Sequence, residues 1–83
     1  MCSIISVTNM NGKLLLNCTS YDGTFDNSKE LTIVTKNSEK YITDNFILEK
    51  TRPCFSDGKA PWIMLNQNIP EKFLEKGNQI ILQ

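Results

Sequence analysis

Apolar residues along this 83-residue chain alternate with polar ones or come in short runs, and Gly, Asn, Asp, Ser and Pro fill the gaps. That rhythm is the one expected of a small all-β domain. Residues 4–8 read as a first strand. Asn9-Met10-Asn11-Gly12 follows, and Asn-Gly is a strong hairpin signal because both residues accept positive φ. The return strand covers residues 13–19, with Leu14, Leu16 and Cys18 directed at a core and Leu15 breaking the alternation. Residues 20–29 form a polar loop around Asp22-Gly23, which Tyr21 and Phe25 can pin to the body.

Residues 30–35 read as a strand with Leu31 and Ile33 on one face, and Lys36-Asn37-Ser38-Glu39 as a turn. Two further strands, 40–43 and 46–51, are separated by Asp44-Asn45. Residues 52–61 hold Pro53, Asp57-Gly58 and Pro61, which suit an irregular connection better than a strand interior. Trp62-Ile63-Met64-Leu65 is apolar on both faces, the mark of a strand at the centre of the fold. One short helical turn is predicted near residues 70–76, where Pro70 and Glu71 open the segment and Gly77 ends it, with Phe73 or Leu74 plugging one end of the fold. Residues 79–83 close the chain as a strand paired on both sides. The expected fold is therefore all-β: a single domain over residues 1–83, a small closed or partly open antiparallel barrel of about six strands, closure being one way to satisfy strand edges.

Charge and cysteine usage narrow the functional classes. Nine Lys+Arg balance nine Asp+Glu, so no whole-molecule field draws the chain to nucleic acid or to an anionic membrane. The absence of histidine removes the usual general base, the usual partner of a Cys or Ser nucleophile, and the commonest metal ligand, which argues against an enzyme. Cys2, Cys18 and Cys54 are an odd number without a Cys-x-x-Cys pair, which reads as reduced thiols in a cytoplasmic protein. With no leader and no apolar run near the ~20 residues of a membrane helix, a soluble intracellular chain is expected, and the Asn17-Cys18-Thr19 glycosylation pattern is read as chance.

Four segments carry candidate chemistry. Lys50, Arg52, Phe55, Lys59 and Trp62 bring three cations and two aromatics within thirteen residues, which would suit a phosphate backbone with stacked bases. The plainer account, favoured because nucleic-acid sites usually show a wider basic surface, makes Phe55 and Trp62 core and the cations a solvated rim. Cys54, two residues from Arg52, is a candidate reactive thiol, against the commoner fate of a buried and inert one. The acidic loop over residues 22–30 lacks the ligand spacing of a calcium loop and carries Lys29, so it reads as turn chemistry, with no metal or other cofactor expected. The turn with Phe73 and Leu74 is a candidate docking knob, with the plug the preferred account.

Glu30-Leu31-Thr32-Ile33-Val34, the strand over residues 46–50, Gly58-Lys59-Ala60-Pro61 leading into residues 62–65, and the closing run from Ile69-Pro70-Glu71 through Lys76-Gly77-Asn78-Gln79-Ile80-Ile81 follow one another in a familiar order. Over residues 30–82 the chain resembles the β-barrel second domain of translational GTPases such as elongation factor Tu, standing alone. The resemblance implies a barrel and, as an alternative role, an RNA- or ribosome-associated accessory module. Three features depart from the family: Lys29-Glu30 stands where it has Gly-Asp, its glycine-rich first hairpin is reduced to Asn11-Gly12 and Asp22-Gly23, and no Gly-x-x-x-x-Gly-Lys-Ser/Thr loop is present, so no nucleotide is expected. The functional expectation is a non-enzymatic binding module that contacts a protein partner or copies of itself, with RNA as the alternative partner and no membrane.

Overall fold

The computed structural model describes residues 1–23, 25, 27–53 and 59–83, with the backbone alone at 49–53 and 59. Seven strands run in chain order as β1 (Cys2–Met10), β2 (Lys13–Cys18), β3 (Leu31–Val34), β4 (Lys40–Thr43), β5 (Phe46–Pro53), β6 (Lys59–Leu65) and β7 (Gln79–Leu82), with a 3₁₀ turn at Glu71–Phe73. They form one antiparallel sheet in the order β4-β3-β7-β1-β2-β6-β5. The all-β expectation holds, with seven strands in place of about six.

The sheet is not closed, and β4 and β5 are its edges. Closure is not needed to protect them. β4 has four residues and begins at Lys40, while β5 carries an irregularity between Glu49 and Arg52 and ends in Pro53. Short length, bulges, lysine and proline all blunt a sheet edge. Yet the two edges are chain neighbours, joined only by Asp44 and Asn45. In a flat seven-stranded sheet the edges would stand about 29 Å apart at the usual spacing, whereas three residue steps reach at most about 11 Å. The sheet must therefore curl until its edges meet at that corner. Gln67 reinforces the corner, donating through Nε2 to Tyr41 Oη at 3.2 Å and Thr43 Oγ1 at 3.0 Å while its Oε1 accepts from Asn45 Nδ2 at 3.5 Å.

The curl is organised around β1. Its first residues pair with β7 (Cys2↔Ile80, Ser3↔Gln79), and the rest pair with β2 through Met10↔Lys13. Between Ile4↔Cys18 and Ser6↔Asn17 the register shifts, leaving Ile5 as an extra, partnerless residue. Such a bulge bends the strand and reverses which positions face inward. Cys2 and Ile4 are buried ahead of it, and Val7 faces the core beyond it. One strand thus serves both halves of the sheet.

The core follows the alternation expected from the sequence. Five strands each give an i, i+2 pair: Cys2/Ile4, Leu16/Cys18, Leu31/Ile33, Ile63/Leu65 and Ile80/Leu82. Phe25, Ile69 and Phe73 complete the core from the connections, with Tyr41, Phe46 and Leu48 packed at its margin. The β1–β2 hairpin turns through Asn11 (φ 52) and Gly12 (φ 81), the two positive φ values of a type I′ turn. Phe73 follows Pro70 as anticipated, stays buried, and meets the Tyr41 ring at 5.4 Å, so it serves the core and is no exposed docking knob.

Two readings of the sequence are corrected. Pro61 was expected in an irregular stretch over residues 52–61, but β5 extends to Pro53 and β6 already includes Pro61. The ladder between these strands skips from Glu49↔Trp62 to Arg52↔Ala60, so Pro61, which has no N–H to give, sits where regular pairing is interrupted. The strand 62–65 is internal, flanked by β2 and β5, but it is not apolar-buried on both faces. Ile63 and Leu65 are fully buried, Met64 is half-buried, and Trp62 is 37% exposed.

Candidate contact surface

Antiparallel sheets with one solvated face place polar residues outward. Strand register here assembles an apolar row instead. Thr8, Leu15, Met64 and Ile47 lie side by side across β1, β2, β6 and β5 on the outward positions (Thr8↔Leu15, Leu15↔Met64, Ile47↔Met64). Directly opposed residues have Cβ atoms about 4.5–5.5 Å apart, so these side chains cover one another. Ile47 remains 47% exposed, while Leu15 and Met64 are half-buried by their neighbours. The next row, Ser6, Asn17, Trp62 and Glu49, is polar except for Trp62, which therefore extends the apolar row diagonally beside Met64. Asn17 Nδ2 donates to Ser6 Oγ at 3.4 Å, binding the polar half of that row together.

A second, smaller row crosses the outer face of the other half. Thr32 stands opposite Ile42 on β4 and Ile81 on β7. Its two isoleucine neighbours leave Thr32 only 9% exposed although it faces outward, while Ile42 itself is open to solvent.

The residues singled out from the sequence fare differently. Trp62 is on the surface and not in the core, which corrects the plainer account for that residue. Lys50 and Arg52 lie on β5 and Lys59 on β6, and the backbone register sets Arg52 opposite Ala60 and Lys59 opposite Pro53, at the far end of the β5–β6 hairpin from Leu65. Their side chains, together with Cys54 and Phe55, lie outside the described residues. Leu15 alone reads as a break in an alternating strand, and nothing local sets Ile47 beside it. Only the register shows that the two line up.

The remaining polar chemistry lies elsewhere. Lys72 pairs with Glu39 beside a shallow cleft lined by Thr35, Lys36, Asn37, Glu75 and Asn78, where opposite charges balance. Asn78 is buried and donates through Nδ2 to the Lys72 carbonyl at 2.9 Å, fixing the 3₁₀ turn to the start of β7. Among the described residues no three His, Cys, Asp or Glu side chains cluster so as to hold a metal ion. Cys2 and Cys18 are buried thiols, not joined to each other by a disulfide. A hydrogen bond from the Cys18 side chain lowers the pKa of the Cys2 thiol below its usual value, outweighing the opposite push of burial. Among the described residues no helix is long and apolar enough to cross a membrane.

Comparison of the chain with family models, with curated proteins and with solved structures finds no match.

Proposed function

We propose that this chain is a non-enzymatic β-module of the cytoplasm whose work is contact with another protein, either a distinct partner or a second copy of itself. The observation that carries this reading is the register-aligned row of Leu15, Met64 and Ile47 with Trp62 beside it, on a sheet face where polar residues are the norm. Contiguous apolar surface of this kind marks interaction sites, and a partly exposed tryptophan is a typical anchor of such sites. The sequence supports contact over catalysis, because it supplies no histidine to act as base.

An RNA-associated role is the alternative that the resemblance to translation-factor second domains implies. It would draw on Lys50, Arg52, Phe55 and Lys59 together with Trp62, and it predicts salt-sensitive binding that weakens on Arg52→Glu.

The deciding experiment is affinity capture from cytosol with and without ribonuclease, alongside sedimentation of the purified chain, using wild type and Ile47→Lys. Under the protein-contact reading, association survives ribonuclease and falls at least tenfold in Ile47→Lys. Association that ignores Ile47→Lys, or that vanishes with ribonuclease, refutes it, and the second outcome favours RNA.

A further inference from the structure

Cys2 and Cys18 lie on adjacent strands and both point into the core. Cys18 stands opposite Ile4, and the next rung is closed by the Thr19 N–H donating to the Ser3 carbonyl at 2.9 Å and the Ser3 N–H donating to Thr19 Oγ1 at 2.9 Å. Cys2 is therefore the diagonal neighbour of Cys18 on the same face, and the two side chains are hydrogen-bonded. A thiol pair placed side by side in a core of aliphatic and aromatic side chains does nothing for packing that Ala or Val would not do. What distinguishes it is that two sulfurs can become one bond.

We propose that Cys2 and Cys18 form a redox-convertible pair, oxidised by a small-molecule disulfide to an intramolecular disulfide that staples β1 to β2 beside the Ile5 bulge. The step balances as thiol–disulfide exchange. The Cys2 thiolate attacks one sulfur of the small disulfide, breaks its S–S bond and releases one small thiolate. Cys18 then gives up its proton to water and attacks the Cys2 sulfur of the mixed disulfide, releasing the second small thiolate. Two protein thiols are oxidised, one small disulfide is reduced to two thiols, and two electrons pass between them.

The order of attack follows from position. Cys2 is the first residue of β1, and on the β7 side its end of the strand is held by only two register pairs, Cys2↔Ile80 and Ser3↔Gln79, before the contacts of Ile4 with Asn78 and Gly77. Cys18 is wholly buried beneath it. Release of those two pairs exposes Cys2 and leaves Cys18 inside, so Cys2 meets the oxidant and Cys18 resolves the adduct. The lowered pKa of Cys2 favours the same assignment. Diagonal neighbours on adjacent strands stand about 7–8 Å apart, at the outer limit of what a disulfide spans, so closing the link draws the first residues of β1 toward β2. The pair lies on the inner face, away from the Ile47 row, so the inference is independent of the proposed contact function.

The test is incubation of the native full-length chain with oxidised glutathione, followed by acid quenching, intact mass and a non-reducing peptide map, with Cys54→Ser run in parallel to remove the third thiol. The expected product has lost two hydrogens, links Cys2 to Cys18, and returns to the thiol form with excess reduced glutathione. Cys18→Ser should instead accumulate the Cys2–glutathione adduct, and Cys2→Ser should leave Cys18 unmodified. Absence of the 2–18 link in the native wild-type chain, or its formation only in denaturant, overturns the proposal whether or not the variants fold.

Discussion

The phenol oxygen of Tyr21 takes both backbone hydrogen-bonding groups of Leu82: it accepts from the Leu82 N–H at 2.8 Å and donates to the Leu82 carbonyl at 3.2 Å. In an antiparallel strand one residue presents both groups to the same neighbour, and on this side of β7 that neighbour is β1. Register pairing with β1 runs through Cys2↔Ile80 and Ser3↔Gln79, so among the described residues no strand pairs with Leu82 on this side. A single hydroxyl stands in for it, while the Tyr21 ring packs edge-on against Phe25 at 5.2 Å.

Tyr21→Phe should therefore cost about 1–3 kcal/mol, the penalty for leaving buried backbone groups unpaired, with the ring contact retained. Amide exchange at Leu82 should rise more than at Ile80, whose pairing with Cys2 is untouched. Equal protection of Leu82 in both chains would show that the hydroxyl does not replace a strand.

Gly12 holds φ +81 with nothing within 4 Å of the position a Cβ would take. The cost of a side chain there is conformational and not steric crowding. Gly12→Ala should destabilise by about 1–2 kcal/mol in urea unfolding, whereas Asn11→Gly, at φ 52, should stay within about 0.5 kcal/mol. A neutral Gly12→Ala would rule out the type I′ turn.

Inner and outer faces should respond differently to truncation. Leu16→Ala removes a wholly buried side chain and should cost about 2–5 kcal/mol. Ile42→Thr, on the exposed β4 edge, should change stability by no more than about 0.5 kcal/mol. Comparable losses at the two positions would contradict the assignment of faces.

Under reducing conditions the Cys2 thiol links stability to pH. Its folded pKa lies below the unfolded one because Cys18 hydrogen-bonds to it, so between those two values the folded chain binds fewer protons. The contribution is fully present above the unfolded pKa and is lost as pH falls through the folded value. The stability difference between wild type and Cys2→Ser should thus grow as pH rises across that window. A difference that shrinks with pH would reverse the sign of the shift.

Much of the fold was legible because alternation is a local signal. The pairs Leu16/Cys18, Leu31/Ile33 and Ile80/Leu82 could be assigned to a core from their spacing, and the Asn11-Gly12 turn from its residue types. The bulge at Ile5 could not, since Ile4 and Ile5 are both apolar and nothing in their identity says which is the extra residue. Pro61 misled because proline is excluded from regular ladders, and the interruption that admits it belongs to β5, ten or so residues earlier in the chain. The run of four apolar residues over 62–65 gives no face, so the sequence alone leaves Trp62 open between core and surface patch. The candidate surface was the least legible part: Leu15, Met64 and Ile47 are far apart in sequence, and only the pairing of three strands makes them one row.

The two-residue link at Asp44-Asn45 bears on solubility. A chain with an apolar outer face and two open sheet edges has the ingredients of cross-β stacking, in which flat sheets add strand to strand and then lie face against face. Stacking requires flatness, and a sheet whose opposite edges are tethered within about 11 Å cannot flatten without breaking its own ladders. The shortest connection between the most distant strands thus acts as a safeguard, letting the molecule keep an apolar face exposed without inviting fibrils.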